Sequence, residues 1–479
     1  MQGYEPVIGL EIHVQLATQS KLFCGDPVQF GAAPNTLVSP ISLAYPGTLP
    51  RINQQAVESA VQLGLAFGCE IAPVSYFARK HYFYPDLPRG YQTSQHTHPI
   101  CIGGAIKIKQ EAGSLSFALN RIHLEDDAGK SIHDLYEDTT CIDLNRAGTA
   151  LLEIVTEPVI HHPDHAAAVV AEIRKMVRWL GIGDGNMEAG NLRCDANISL
   201  RVAGTKELGT KVEVKNLNSI RFVKKAIEFE IERMEKLLEQ GEKIQQQTRS
   251  FNAINFTTFA TREKEEAHDY RYFPDPDLPP IRITQERLNN IQSSMPALPS
   301  EIIATLQSTY NLSEYDAEQI TQDKTDWQFF LDTAIICKQY KSIANWMQGP
   351  IRQWRNEKNE EDESMLQPAQ LAELIELVES GTVSFTIAAQ KIFPLVVTTQ
   401  QSAKKIAEEG GWLQEKDTQQ LETWVNEVLA AMPEQVAAYK KGKKGLIGLF
   451  VGEVKKRSRG KADLKWVTTY LEQQLTSTK

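Results

Sequence analysis

The hydrophobic pattern of the chain changes after its first 294 residues. Before that point, apolar and polar residues alternate or nearly alternate over short runs such as residues 7–16 and 105–109, which predicts β-strands. Apolar residues at helical spacing predict two long helices, from about Asp164 to Leu180 and from about Ile220 to Glu239. Residues 1–294 are therefore predicted to form one large α+β domain.

Strand signals become rare after Pro279-Pro280. Residues 295–405 predict a helical domain, because the proline positions near its start suit helix N-termini and the pattern keeps a helical spacing. Gly410-Gly411 marks a further break, and residues 406–479 predict a small tail domain of short helices. The predicted architecture is an α+β domain followed by an all-helical domain and a helical tail domain.

The charge of the chain is distributed unevenly. The 479 residues carry a net charge of −10, but residues 431–479 contain 11 Lys and Arg against 4 Asp and Glu, a net +7, which leaves −17 on the rest. A basic tail on an acidic body suggests a bound polyanion. A solvated, lysine-rich helix face is equally compatible with the charge alone. The basic residues concentrate at Lys455, Lys456, Arg457, Arg459 and Lys461.

Three absences narrow the class of protein. No stretch approaches the apolar length of a membrane span, and the first residues lack the pattern of a signal peptide, so we expect a cytoplasmic protein without membrane contact. The six cysteines are scattered, which argues against a disulfide framework or a Cys-x-x-Cys metal site.

A carboxylate and an imidazole lie two positions apart on the first predicted strand. Because strand side chains alternate between faces, Glu11 and His13 share one face and could bind one metal ion together. From this pair alone, the polar face of a half-exposed strand is the preferred interpretation. Glu153 lies in the apolar run 151–155, where a buried carboxylate needs a partner such as a metal ion. An outward-facing strand residue is equally compatible.

The densest acidic run is Glu125-Asp126-Asp127, which is followed by Lys130. Adjacent carboxylates repel one another unless a cation lies among them, and Mg²⁺ prefers oxygen ligands. Lys130 would neutralise a phosphate beside them. A surface acidic loop is the alternative interpretation. The run is not a P-loop, because that motif needs glycine where Leu124 stands.

Two further motifs suit a phosphorylated or nucleotide ligand. Arg146, before a glycine turn, could bind a phosphate or a carboxylate in bidentate fashion. Lys80 and Tyr82 belong to a basic, aromatic turn that suits a ribose, a base or a terminal nucleotide. Aromatic core packing is the alternative interpretation for this turn.

Together, these motifs resemble the B-type subunits of the tRNA-dependent amidotransferases that act on misacylated glutamyl-tRNA(Gln) and aspartyl-tRNA(Asn). The similar stretches occur in family order and include VIGLEIHVQL (7–16), RKHYFYPDLPRGYQTSQ (79–95), HLEDDAGKS (123–131), DLNRAGTALLEIVTEP (143–158), EEAHDYRYFPDPDLPP (265–280) and LIGLFVGEVKKRSRGKAD (446–463). The resemblance covers essentially the whole chain. It implies a kinase-like cradle domain, a helical domain and a tail domain.

The resemblance also implies a reaction and partners. ATP would phosphorylate the side-chain carboxylate of the amino acid on tRNA(Gln) or tRNA(Asn), and ammonia would then displace the phosphate. An amidase-type glutaminase, the A-type partner, would supply the ammonia, and a small C-type partner would complete a heterotrimer. We expect the basic tail residues to bind the tRNA.

Site residues follow from the same resemblance. It implies a Mg²⁺ site at Glu11, His13, Asp126 and Glu153, to which we add Glu125 from the acidic run, and a catalytic role for Lys80. We expect ATP to contact Lys80, Tyr82, Lys130 and Arg146. Asp126 stands where the family commonly has Glu. Some relatives carry a zinc knuckle, whose positions are Cys24, Asp26, Ser39 and Ser42 here; with one thiol left, we expect no zinc.

Two other functions stay open on the sequence alone. The altered acidic run and the basic tail are compatible with a non-catalytic tRNA-binding scaffold whose metal site has decayed. An autonomous metallohydrolase would act without ATP, but it leaves the lysine- and arginine-bearing motifs unexplained. ATP hydrolysis that depends on misacylated tRNA distinguishes the ligase from both.

Overall fold

The computed structural model describes residues 3–110, 113–262, 270–357, 366–414, 418–458 and 461–476. The chain divides into two compact units, Met1–Leu298 and Pro299–Lys479. The first unit contains the strands and four helices among the residues described. The predicted division of the helical part at residue 405 stays a prediction.

The first unit alternates strands with a few long helices. Its strands are β1 (Tyr4–Gln15), β2 (Glu70–Ile71), β3 (Val74–Ser75), β4 (Ala78–His81), β5 (Tyr91–Ser94), β6 (Cys101–Ile102), β7 (Ala105–Gln110), β8 (Gly113–Asp126), β9 (Lys130–Tyr136), β10 (Thr139–Asp143), β11 (Ala150–Thr156), β12 (Leu192–Val202), β13 (Val212–Leu217), β14 (Gln247–Asn252), β15 (Thr257–Arg262), β16 (Phe273–Pro274) and β17 (Ile281–Arg282). Its helices are α1 (Gln54–Ala66), α2 (Pro163–Leu180), α3 (Ile220–Glu239) and α4 (Gln285–Ser294). This mixture confirms the predicted α+β class of the first unit.

Most of these strands form one large mixed sheet. Its main path runs β15-β14-β13-β12-β1-β11-β8-β5-β4-β16, and the pairs are antiparallel except for β13 with β14. Strand β1 lies in the middle, between β11 and β12, although these strands are distant from it in sequence. The sheet therefore brings together side chains that the sequence keeps more than 100 residues apart.

Alternation along β1 gives the sheet two different faces. Leu10, Ile12 and Val14 are buried in the apolar core, whereas Glu11 and His13 between them are only partly buried. Helices α1, α2 and α3 contribute to the same core, so they cover the apolar face. The opposite face of the central strands is polar.

Both predicted long helices are confirmed, because local signals define their ends. Helix α2 begins at Pro163 after the N-cap His162, and Gly181 ends it in the left-handed conformation with φ of 70°. Helix α3 begins after Ser219, whose side chain accepts a hydrogen bond from the amide of Phe222. The residues of α3 that are buried are Val223, Ala226, Ile227, Glu230 and Met234.

The second unit is helical, as predicted. Its helices are α5 (Pro299–Ser308), α6 (Glu314–Ile320), α7 (Lys324–Ile336), α8 (Tyr340–Trp346), α9 (Arg352–Glu357), α10 (Pro368–Glu379), α11 (Phe385–Ile387), α12 (Phe393–Thr399), α13 (Ala403–Glu409), α14 (Thr418–Ala431), α15 (Pro433–Lys440), α16 (Ile447–Arg457) and α17 (Leu464–Thr476). Residues from the last four helices share a hydrophobic cluster that includes Leu421, Phe450 and Leu471. In the described part of the chain, no helix is long and apolar enough to cross a membrane.

Candidate functional site

Four side chains form a row across the polar face of the sheet. His13 on β1 lies opposite Arg193 on β12 and opposite Glu153 on β11, and Glu153 in turn lies opposite His123 on β8. Residues directly opposite one another in antiparallel strands project to the same face. Strand register alone therefore sets two histidines, a carboxylate and a guanidinium side by side.

Three residues in and beside this row could hold a metal ion. His13 Nε2 lies 3.3 Å from Glu125 Oε1 and 4.0 Å from Glu153 Oε2. One ligand atom from each of these three residues lies within 4.8 Å of the others. Carboxylate oxygens and an imidazole nitrogen are suitable ligands for a divalent cation.

The electrostatics of the cluster favour a cation. Burial raises the pKa of Glu125, and the nearby charge of Glu153 adds to this effect while His13 opposes it. Burial alone would also raise the pKa of Glu153, but the adjacent histidines, chiefly His123 with a 3.0 Å Nε2–Oε2 contact, hold it well below its usual range. A cation between the two carboxylates would relieve their repulsion.

Glu11 lies beside this cluster. Its carboxylate accepts a hydrogen bond of 2.8 Å from Asn197 Nδ2, and its backbone pairs with Asp195. Glu11 borders the same cleft as His13 but does not belong to the three-residue group. Within the residues described, Asn197 Oδ1 and His123 Nδ1 are buried without a hydrogen-bond partner.

Asp126 points to the opposite side of β8 from Glu125. Its Oδ1 accepts a hydrogen bond of 2.7 Å from the amide of Thr93, and its Oδ2 forms an ion pair with Arg89. The side chain is 2% exposed. The ligand set expected from the resemblance is thus not assembled as such, because Glu125, rather than Asp126, faces His13 and Glu153.

The cluster forms part of the lining of an open cleft of about 250 Å³. Lys80 and Tyr82, two of the residues expected to contact ATP, line the same cleft. The Tyr82 hydroxyl donates a hydrogen bond of 3.2 Å to Gln92 Oε1. Burial, followed by the charges of Glu125 and Asp127, raises the pKa of Tyr82, so its hydroxyl remains a hydrogen-bond donor at neutral pH.

The other two expected nucleotide contacts lie outside the lining of this cleft. Arg146 Nε forms a 3.2 Å ion pair with Asp127 Oδ2, and its guanidinium also donates to the carbonyl of Gly129. Lys130 is exposed at the start of β9. Arg193 reaches the other oxygen of Asp127 at 3.2 Å, so Asp127 lies between two arginines.

Several residues that line the cleft were not predicted from the sequence. Arg193 and Asp195 come from β12, and Lys215 and Asn216 come from β13. Lys215 Nζ lies 3.3 Å from Glu213 and 3.7 Å from Asp195. These two carboxylates stabilise its positive charge in the lining of the cleft. The alternation of β12, where charged residues interrupt apolar ones, was the signal that could have identified Arg193 and Asp195.

The four positions that the resemblance aligns with a zinc knuckle, Cys24, Asp26, Ser39 and Ser42, meet around one carboxylate. Asp26 Oδ2 accepts hydrogen bonds from the amide of Ser39 at 2.9 Å and from the hydroxyl of Ser42 at 2.5 Å. Burial raises the pKa of the Cys24 thiol to about 11, so it remains protonated at neutral pH. Zinc binds thiolates, and this donor set therefore does not suit a closed zinc site.

The basic tail cluster lies at the end of α16. Lys455, Lys456 and Arg457 are exposed in its last turn, and Arg457 forms a 3.0 Å ion pair with Glu427. Lys461 is exposed in the segment that follows. Arg459 lies outside the residues described.

The first unit has a large mixed sheet with a carboxylate–histidine cluster on its polar face, next to lysine and arginine. These features define a protein with a candidate site for a divalent cation and a phosphorylated ligand. Residues 6–289 match the family described as the GatB/GatE catalytic domain, and residues 328–475 match the family described as the GatB domain. The chain belongs to the GatB family.

Relatives align over nearly the whole chain. A protein of Chlorobium limicola is 46% identical over 473 residues, which cover 98% of this chain and 99% of the relative. Proteins of Persephonella marina and Thermodesulfovibrio yellowstonii are 46% and 45% identical, over 98% and 97% of this chain and 99% and 98% of their own lengths. All three are named as the B-type subunit of aspartyl/glutamyl-tRNA(Asn/Gln) amidotransferase.

Proposed function

We propose that this chain is the tRNA-binding, carboxylate-activating component of a glutamine-dependent tRNA amidotransferase. Its substrates would be ATP and misacylated Glu-tRNA(Gln), Asp-tRNA(Asn) or both. The observation that carries the proposal is the convergence of His13, Glu125 and Glu153 in a cleft that Lys80 and Arg193 also line. Membership in the GatB family and the names of the relatives support the same function.

The reaction needs activation because a carboxylate is a poor acyl donor. Transfer of the terminal phosphoryl group of ATP to the side-chain carboxylate gives an acyl phosphate and ADP. Ammonia then attacks the acyl carbon, the bond from carbon to the phosphate oxygen breaks, and loss of a proton from nitrogen leaves the amide. Phosphoryl transfer depends mainly on positioning and charge neutralisation.

The residues of the cleft suit these two tasks. His13, Glu125 and Glu153 would hold Mg²⁺, which supplies charge neutralisation at phosphate oxygens when bound. Lys80, Arg193 and Lys215 supply positive charge in the lining of the same cleft, where they can orient a phosphate or a carboxylate.

Ammonia would come from the amidase-type glutaminase partner, with the small C-type partner completing the heterotrimer. The chain has no recognisable glutaminase nucleophile motif. We expect the purified chain to use ammonium salts with ATP and to leave glutamine unused until the glutaminase is added. Glutamine-driven amidation by the chain alone would contradict this division of labour.

The decisive experiment measures ATP hydrolysis that depends on misacylated tRNA. The full chain, with its partner proteins, is incubated with ATP and either Glu-tRNA(Gln) or Gln-tRNA(Gln). The two tRNAs are matched controls, since they differ only in whether the amino acid carries a side-chain carboxylate. We expect Glu-tRNA(Gln) alone to stimulate hydrolysis and to yield the amide. A scaffold without catalytic activity would hydrolyse no ATP with either tRNA.

A further inference from the structure

A row of aromatic rings extends from the cleft along the surface of the first unit. Its members, in spatial order, are Tyr84, Tyr82, Tyr270, Tyr272 and His96. The successive distances between ring centroids are 6.0, 6.2, 6.0 and 4.6 Å. The first three contacts are edge-on, and the rings of Tyr272 and His96 are stacked, with 11° between their planes. We call these five residues the aromatic row.

Strand pairing places the segment that carries Tyr270 and Tyr272 beside β4, whose Lys80 lines the cleft. Phe273 on β16 lies opposite Arg79 on β4, so these two side chains share one face. Lys80, the neighbour of Arg79 on β4, projects to the other face, which is the face of the cleft. The amide of His81 also donates a 3.0 Å hydrogen bond to the carbonyl of Tyr270, which holds this segment beside β4.

Positive charge accompanies the row. Lys80 Nζ lies 4.9 Å from the ring centroid of Tyr270 and 5.8 Å from that of Tyr82. Partial burial and, next, the charge of Arg121 lower the pKa of His96, so its ring is neutral near pH 7 and can stack on a base. Aromatic rings with interspersed cations are the usual platform for single-stranded nucleic acid.

The chemistry of the proposed function fixes what must lie beside the cleft. The amino acid is esterified to the terminal ribose of the tRNA, and only a few covalent bonds separate its side-chain carboxylate from that ribose. When the carboxylate is at the cluster, the unpaired bases at the 3′ end therefore lie next to the cleft. Tyr82, which lines the cleft, is also a member of the aromatic row.

We propose that the aromatic row is the stacking platform for the single-stranded 3′ end of the aminoacyl-tRNA, an inference that rests on the proposed function. The adenine of ATP is the competing occupant. One purine needs one or two rings, whereas this row has five and ends at the exposed residue His96. Its length therefore fits successive bases better than a single nucleotide.

The test replaces the stacked pair and follows both substrates. Tyr272→Leu and His96→Leu each remove an aromatic ring. Tyr272→Phe is the matched control, because it keeps the ring and removes only the hydroxyl. The full chain is titrated with misacylated tRNA whose terminal adenine is 2-aminopurine, and KM is measured for tRNA and for ATP with the partner proteins present. We expect stacking to quench the fluorescence with the wild type and with Tyr272→Phe. The leucine variants should lose this quenching and raise KM for tRNA by about 5- to 50-fold, with KM for ATP unchanged.

Each contrary result has a distinct meaning. Unchanged quenching and unchanged KM for tRNA in both leucine variants would overturn the inference. A rise in KM for ATP alone would also overturn it and assign the row to the adenine of ATP. Absence of tRNA-dependent ATP hydrolysis in the wild type would refute the proposed function itself. If Tyr272→Leu does not fold, His96→Leu provides the same test. His96 is exposed, so its replacement should not disturb folding.

Discussion

The cleft and the tail both concentrate charge, but they hold it differently. Side chains of Glu125 and Glu153 are 5% and 13% exposed, and strand register fixes them against two histidines. Lys455 and Lys456, by contrast, extend into solvent from the last turn of a helix. Buried charges interact strongly at short range, whereas exposed charges are screened by salt. The cleft is therefore suited to chemistry at defined atoms, and the tail to salt-sensitive attraction of a polyanion.

The largest effect should follow from loss of one carboxylate in the cleft. Glu153→Gln removes a charge that both histidines contact while it keeps the shape of the side chain. We expect the rate of amide formation to fall by at least about 100-fold, since the site would lose a metal ligand. Binding of tRNA should change by less than about 2-fold, because the tail lies in another unit and phosphate contacts supply most of the affinity.

Glu137→Gln is the control for this variant. Glu137 is exposed in the turn between β9 and β10, so the same change of charge occurs away from the cleft. Direct titration of each protein with Mn²⁺, followed by electron paramagnetic resonance, separates loss of the cation from other causes of inactivity. Normal Mn²⁺ binding and normal amide formation by Glu153→Gln would eliminate the proposed metal centre.

The second prediction compares two neighbours in the sequence. Glu125→Gln should weaken cation binding by at least about 10-fold, because Glu125 faces His13. Asp126→Asn should leave cation binding unchanged and instead lower the free energy of unfolding by about 3 kcal/mol, because Arg89 would lose its buried partner. Cation titration and urea unfolding of both variants measure the two quantities. If Asp126→Asn weakened cation binding as much as Glu125→Gln does, Asp126 would belong to the metal site after all.

Much of the fold could be predicted because its signals are local. Pro163 and Gly181 delimit helix α2, and Ser219 precedes helix α3, so the predicted bounds differ from the observed ones by one residue at most. The spacing of Phe222, Ala226, Phe229 and Met234 predicts the buried stripe of α3, but only Ala226 and Met234 are buried. Phe222 and Phe229 are partly buried, while Val223 and Ile227 belong to the core. A helix period shows that one side is apolar, but packing decides how the helix is rotated.

The candidate site could be predicted only in part. The two-residue period of a β-strand predicts Glu11 and His13 on one face, and the structure agrees. The same rule could have identified Glu125. Asp126 shares one face of β8 with the buried apolar residues Ile122 and Leu124, so Glu125 lies on the other, polar face. Which side chains of β8 share a face with His13 and Glu153 depends on the pairing of β8 with β11 and of β11 with β1, and β1 is distant from both in sequence. Arg193 and Lys215 were missed for the same reason.

The smallest effect is expected from the tail, where charges are exposed and act together. Lys455→Ala with Lys456→Ala should weaken tRNA binding by about 3- to 10-fold at moderate salt and reduce the slope of log Kd against log salt by up to about 2. The rate of amide formation at saturating tRNA should not change, because every residue of the cation cluster lies in the first unit.

Lys243→Ala removes an exposed lysine of the first unit and serves as the control. Equal affinities and equal salt slopes for all three proteins would show that these lysines only keep the helical tail soluble. A lower rate of amide formation at saturating tRNA would mean instead that the tail takes part in the chemistry. The division of roles between the cleft and the tail would then be wrong.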